Sequence, residues 1–242
     1  MKLADFFSPK VTLRRTLIPR HVGLFFRDDA GAPVAKTKCL MRLLHAATKL
    51  NIPILSIYAL PAHTNPQRIS HKIDDLVDLV HTLLGWQFIY QARVKVTILG
   101  HWYDLPARLV DPLKKIQEST RQHDAFFLNL CINYDGQAEI VDAASIIARQ
   151  VKLGKLDPEK VTKESVKEAL STSYFVHPDL IIKSGPYVSL RGFLLWDSAH
   201  SIIFFTKKGN LEFTPQDLLR AVSYYQQTIS PRQTKIASPS NI

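Results

Sequence analysis

The sequence has only two cysteines, Cys39 and Cys131, among 242 residues. Both sit inside apolar runs, CLMRLL and FFLNLCINY, and neither has a second Cys or a His beside it at metal-ligand spacing. The fold is therefore expected to form without disulfide or metal support, with both thiols buried and inert in a reducing compartment. No apolar stretch approaches the roughly 20 residues that a bilayer-spanning helix needs. The opening, MKLADFFSPKVTLRR, is too broken to serve as a signal-peptide core. A cytoplasmic location follows as the expectation. Peripheral contact with the cytosolic face of the endoplasmic reticulum or plasma membrane stays open through the arm at residues 1–17, where Lys2, Lys10, Arg14 and Arg15 interleave with Phe6, Phe7 and Leu13. No interior linker of Pro, Gly and Ser interrupts the chain, and it contains no Walker loop, dinucleotide fingerprint, nucleophile elbow or zinc motif.

What is present is enough apolar sequence for a sizeable core: 46% hydrophobic against 21% charged residues. The formal net charge of +10 favours anionic partners such as diphosphates or lipid headgroups, although Lys and Arg are spread along the chain. Short apolar runs alternate with helical stripes. His21 to Phe26, Ile52 to Leu60, Arg93 to Gly100, Ala125 to Ile132, Asp179 to Lys183 and Ser201 to Phe205 read as strands. Between them, residues such as Leu40, Leu43, Leu44 and Ala47, or Ile140, Ala144, Ile147 and Val151, recur at helical spacing. Asp157-Pro158 and Thr214-Pro215 each open a helix. This pattern predicts a single α/β domain over residues 18–230, an open and mostly parallel sheet flanked by helices, with a disordered tail at 231–242. Chemistry is expected in the loops beyond the carboxyl ends of the strands.

Six segments in order carry a resemblance. They are Pro19-Arg-His-Val-Gly23; Ile57-Tyr-Ala59; Val96-Thr-Ile-Leu-Gly100 with Leu105-Pro106; Leu128-Asn-Leu-Cys-Ile-Asn-Tyr134 with Glu139-Ile-Val141; Gly154-Lys-Leu-Asp-Pro158; and Pro178-Asp-Leu180 ahead of Phe193-Leu-Leu-Trp196. Together, from about Ile18 to Tyr225, they resemble the cis-prenyltransferases, the family of undecaprenyl and dehydrodolichyl diphosphate synthases. The resemblance implies the cis-prenyltransferase fold. It also implies condensation of isopentenyl diphosphate onto an allylic diphosphate, with Mg²⁺ assisting departure of diphosphate, a carboxylate after the first strand and arginines that clamp phosphate.

Several of the implied positions are changed. Where the family reads MDGNGRW this chain reads FRDDAGA, which puts Arg27 at the catalytic aspartate and leaves Asp28 or Asp29 as substitutes only in a shifted loop. The first crossover is short, Gln137 replaces the arginine of NYGGR, His101 follows the third-strand glycine, and RTSGExRLS becomes Lys183-Ser-Gly-Pro-Tyr-Val-Ser-Leu-Arg191. These features are similar to the Nogo-B-receptor-type accessory subunits. The reading they imply is a non-catalytic subunit, inactive alone, paired with a catalytic cis-prenyltransferase subunit that holds the Mg²⁺ and makes long-chain, dehydrodolichyl-type polyprenyl diphosphate for dolichol and protein glycosylation. Phosphate contacts would fall to Lys183, Arg191 and Arg232, although the chain's end lacks that subfamily's Arg-x-Gly. A subunit interface would use Phe193, Leu195, Trp196, Ile203 and Phe205, and no nucleic-acid partner is expected. Two alternatives stand beside it: a divergent homodimeric synthase using Asp28 or Asp29, and a prenyl-lipid or anionic-lipid binding protein on the same fold. His21 is expected to be structural, and His63 and His101 have no acid or base partner legible in sequence.

Overall fold

The computed structural model describes residues 13–26, 33–62, 64, 66–185, 187–209 and 211–236. All six expected strands form: β1 (His21–Phe25), β2 (Ile54–Pro61), β3 (Val94–Leu99), β4 (Phe126–Tyr134), β5 (Leu180–Ser184) and β6 (Ile202–Thr206). They build one sheet in the order β3-β4-β2-β1-β5-β6, and every pairing is parallel. The helices are α1 (Pro33–Lys49), α2 (Pro66–Gly85), α3 (Gln87–Gln91), α4 (Ala107–Ser119), α5 (Gly136–Lys152), α6 (Lys163–Ala169) and α7 (Pro215–Ile236). Because successive strand residues point to opposite faces, the sheet sorts its apolar side chains into two cores. Val22, Leu24, Leu128 and Leu130 join α1, α2, α4 and α7 on one face. Phe25, Tyr58, Cys131, Ile181 and Phe193 pack on the other, the side of α5 and α6. Cys39 and Cys131 are buried and not joined in a disulfide.

Three details differ from the sequence reading. The short α3 was not expected; it forms because Trp86 and Phe88 stack at 4.7 Å and turn Ile89 into the core. The helix α7 continues to Ile236 rather than stopping at Ser230. It is tied to the start of the described chain: the Gln226 amide donates to the carbonyls of Arg14 and Leu17 at 2.8 and 3.0 Å, and Arg14 donates to Ser230 Oγ at 3.0 Å. Among the described residues, no helix is long and apolar enough to cross a membrane.

The third difference concerns Phe193, expected at an interface. Its side chain is fully buried, stacked on Tyr58 with ring centres 5.1 Å apart and planes 18° from parallel, so it belongs to the core. A side chain with no exposed surface cannot meet a partner. Phe193→Ala should therefore lower unfolding stability by about 3–5 kcal/mol, as large-to-small core changes do, in chemical denaturation of the isolated chain.

A buried polar chain crosses the centre of the sheet. His21 Nδ1 lies 2.6 Å from the Val176 carbonyl and Nε2 lies 2.8 Å from Ser56 Oγ, which accepts from Asn129 Nδ2 at 3.0 Å. Burial pushes the imidazole down to about 4. The neutral ring thus donates from Nδ1 to Val176 and accepts at Nε2 from the Ser56 hydroxyl. An unfolded histidine titrates near ~6.5. Neutral His21 is compatible with the fold without penalty above that pH, and protonation is disfavoured in the folded state below it. Stability should fall by about 3 kcal/mol as pH drops from roughly 6.5 toward 4. The slope over that window should flatten in His21→Gln, measured by urea unfolding at stepped pH; an unchanged slope would place the titration elsewhere.

Candidate functional site

Where β1, β2 and β5 lie side by side, their carboxyl ends and the inner faces of α1 and α2 enclose a cavity of about 600 Å³. Its walls are apolar: Phe26, Leu40, Leu43, Ile57, Leu76 and Leu79. Its polar lining is mainly cationic, with Lys36, Lys72, Lys183 and Arg191 against one carboxylate among the described residues, that of Asp75. Such a composition accepts a molecule with an apolar body and an anionic head.

Lys183 occupies the end of β5 and is only 5% exposed, an unusual position for an ammonium group. Three features tolerate it: the amine donates to the Ser184 carbonyl, sits 4.3 Å from the centre of the Phe25 ring, and faces the cavity. Burial, with the nearby Arg191 charge second, lowers its pKa. Arg191 is exposed, its guanidinium 5.6 Å from the Tyr187 ring centre. The structure thus brings these two sequence-predicted cations to one cavity. Across the opening, Lys36 on α1 pairs with Asp75 on α2 at 3.0 Å.

Arg191 opens a tight turn with left-handed backbone at Arg191 (φ 45°), Gly192 (φ 78°) and Leu194 (φ 47°). The turn is pressed against the first residue of α5: a Cβ placed on Gly136 would lie 2.2 Å from the Gly192 carbonyl oxygen. Only glycine fits there. The helix α5 is further held by the buried Glu139, which accepts from the Tyr134 hydroxyl at 2.5 Å.

Beyond the turn, Trp196 lines a second, open and apolar groove of about 500 Å³ with Ile140, Ile147 and Val151 of α5 and Val166 of α6. Leu195 is 39% exposed, and Phe205, on the edge strand β6, 46%. Ile203, paired in register with Ile181, shares the α5 side of the sheet with Phe205. Four of the five expected interface residues therefore retain some surface, while Phe193 does not.

Sequence reading missed Lys36, Lys72, Asp75 and Tyr58. A signal was present in helical spacing: Lys36 precedes Cys39, Leu40 and Leu43 by three, four and seven residues, and Lys72 stands likewise to Asp75, Leu76 and Leu79. His101 does have an acidic partner, Asp142, at 2.6 Å, brought near by the β3–β4 pairing and invisible in sequence at a separation of 41 residues. Asp28, Asp29 and His63 lie outside the described residues; the first two belong to the segment joining Phe26 to α1, both of which border the cavity. The backbone of Arg232 falls within α7 and its side chain is outside the description. For Mg²⁺ the described lining is a poor fit. Its one carboxylate, Asp75, is paired to Lys36, and no group of three His, Cys, Asp or Glu able to hold a metal occurs among the described residues.

Comparison with known proteins accords with this geometry. The family described as "Putative undecaprenyl diphosphate synthase" matches residues 33–232. The chain is 32% identical over 225 residues to a tritrans,polycis-undecaprenyl-diphosphate synthase (geranylgeranyl-diphosphate specific) of Methanopyrus kandleri, covering 87% of this chain and 83% of that one. It is 31% identical over 225 residues to an isoprenyl transferase of Thermotoga maritima, covering 87% and 94%. In fold it is similar to lavandulyl diphosphate synthase from Lavandula x intermedia in complex with dimethylallyl diphosphate, with a TM-score of 0.81 at 21% identity over 87% of this chain and 96% of that one. The chain belongs to the undecaprenyl diphosphate synthase family, within the cis-prenyltransferase superfamily.

Proposed function

We propose that the protein is a divergent polyprenyl diphosphate synthase that acts as a homodimer, seating a prenyl chain in the cavity between α1 and α2 with its diphosphate against Lys183 and Arg191. The observation that carries this reading is the apolar cavity with a cationic lining at the carboxyl edge of β1, β2 and β5. Breaking the allylic carbon–oxygen bond puts negative charge on the departing diphosphate. Fixed cations stabilise that charge most where water is scarce. The apolar walls also keep water from the allylic carbon before the isopentenyl double bond attacks it, after which the new cation loses a proton, which the departed diphosphate can accept, to restore an alkene. Asp28 or Asp29, in the segment after β1, is assigned the role of the family's carboxylate.

A second reading is favoured by one sequence feature: Arg27 stands where the family has its aspartate, beside a shortened crossover. It makes the chain a non-catalytic subunit for a catalytic family member. Incubation of the purified chain with Mg²⁺, farnesyl diphosphate and isopentenyl diphosphate separates the two. The homodimeric reading expects product, with kcat/KM lowered tenfold or more in Lys183→Ala and Arg191→Ala, since a charge-assisted contact is worth about 1.5–3 kcal/mol. Product only after adding a catalytic partner would establish the accessory reading. Binding of farnesyl diphosphate without turnover in either setting would leave a prenyl-lipid binding protein.

The groove beside Trp196 is assigned to subunit association, together with Leu195, Ile203 and Phe205. Trp196→Ala should weaken self-association about thirtyfold in analytical ultracentrifugation, the equivalent of ~2 kcal/mol for an aromatic anchor. An equal loss of stability in the isolated subunit would make the tryptophan core instead.

A further inference from the structure

Resting on the reading of the cavity as a prenyl diphosphate site, we propose that Tyr58 is a positioning residue for that reaction: it fixes Lys183 and Arg191, which reach the cavity from two separate segments, so that one diphosphate meets both. Tyr58 is buried at the centre of β2 and borders the cavity. Its ring touches the supports of both cations. One face stacks on Phe193, two residues beyond Arg191, at 5.1 Å. Phe25 meets it edge to face at 4.7 Å and 86°, and the Lys183 amine lies 4.3 Å from the Phe25 ring centre. The hydroxyl reaches the Arg191 turn and the end of β4. It donates to the Tyr134 carbonyl at 3.1 Å and, more weakly, to the Arg191 carbonyl at 3.5 Å.

Left-handed backbone at a residue such as Arg191 is uncommon and persists where surrounding contacts impose it. Phe193 and the Tyr58 hydroxyl are two of those contacts. Loosening them lets the turn relax and moves the guanidinium, without altering any group that touches the ligand. The aromatic edge of Phe25 likewise has no freedom to tilt while Tyr58 is in place, so the face beneath Lys183 is held. The ring therefore serves both cations, whereas the hydroxyl serves Arg191. Tyr58→Phe keeps the stack and removes the tether to Arg191 together with the bond to the Tyr134 carbonyl. Tyr58→Leu removes the stack as well and frees both.

The test is calorimetric titration of the full chain with farnesyl diphosphate and, separately, farnesol, which shares the hydrocarbon and lacks the diphosphate. Tyr58→Phe should weaken farnesyl diphosphate binding five- to tenfold with farnesol affinity unchanged, and Tyr58→Leu should weaken it thirtyfold or more. In a double-mutant cycle, Tyr58→Phe should add less than twofold to Arg191→Ala, because the tyrosine acts through the arginine. Phe25→Leu should be similarly silent on top of Lys183→Ala, a second cycle that stands even if the Tyr58 variants fold poorly. Fully additive effects in the cycles, or equal losses for farnesol and farnesyl diphosphate, would overturn the positioning role while leaving the cavity's assignment intact. Unchanged farnesyl diphosphate affinity in both Lys183→Ala and Arg191→Ala would instead overturn the diphosphate site and this proposal with it.

Discussion

The insertion of Phe193 beneath the centre of the sheet is the contact on which the two surface features depend. Its ring lies on Tyr58 from β2 and near Phe25 from β1, with ring centres 5.1 and 6.1 Å away. Once it is seated, the six-residue turn from Arg191 to Trp196 has little choice of path. Its start must face the cavity and its end must face the helix layer on the other side. The cationic lining and the open groove are thus produced by one buried side chain and the chain on either side of it. Burying a phenylalanine contributes roughly 1.5–3 kcal/mol, comparable to the cost of about one left-handed non-glycine residue.

Much of the fold was legible in the sequence because a parallel sheet covered on both faces writes itself as short apolar runs between helical stripes. The six strands and their order along the chain follow from such runs. Their order across the sheet does not, since nothing local in His21 to Phe26 says that its neighbours are β2 and β5. For the same reason Lys183 and Arg191 are identifiable as cations near a strand end, whereas the helical spacing of Lys36 and Lys72 marks the helix side they share with apolar residues but not the cavity that α1 and α2 bring them to. Phe193 was misread because apolar sequence marks burial and association alike. The stripe Ile140, Ala144, Ile147 and Val151 is legible as helical spacing, but that it lines an open groove is not.

His21, Glu139 and Asp197 follow a common physical rule despite their different surroundings. His21 is neutral and partnered at both nitrogens, Glu139 accepts from two hydroxyls, those of Tyr134 and Ser171, and Asp197 is paired with Lys167 at 2.7 Å. Each has a hydrogen-bonding partner, and none of the three lines the cavity. Lys183 departs from the rule. It has a carbonyl and an aromatic face but no carboxylate contact among its described interactions, in a protein where Lys167, Lys208 and Lys36 all have one. A buried cation without a counter-ion is the condition under which an incoming anion gains most.

The close packing around the turn also limits how this chain can diverge. A Cβ on Gly23 would come within 3.0 Å of the Phe193 ring, and one on Gly136 would strike the Gly192 carbonyl oxygen. Neither glycine can gain a side chain unless the turn moves or residue 193 shrinks, and a smaller residue 193 leaves a void beside Tyr58. The three positions are therefore epistatic: each is nearly immutable alone, and variation at any one of them in descendants of this sequence is open only through compensated changes at the others.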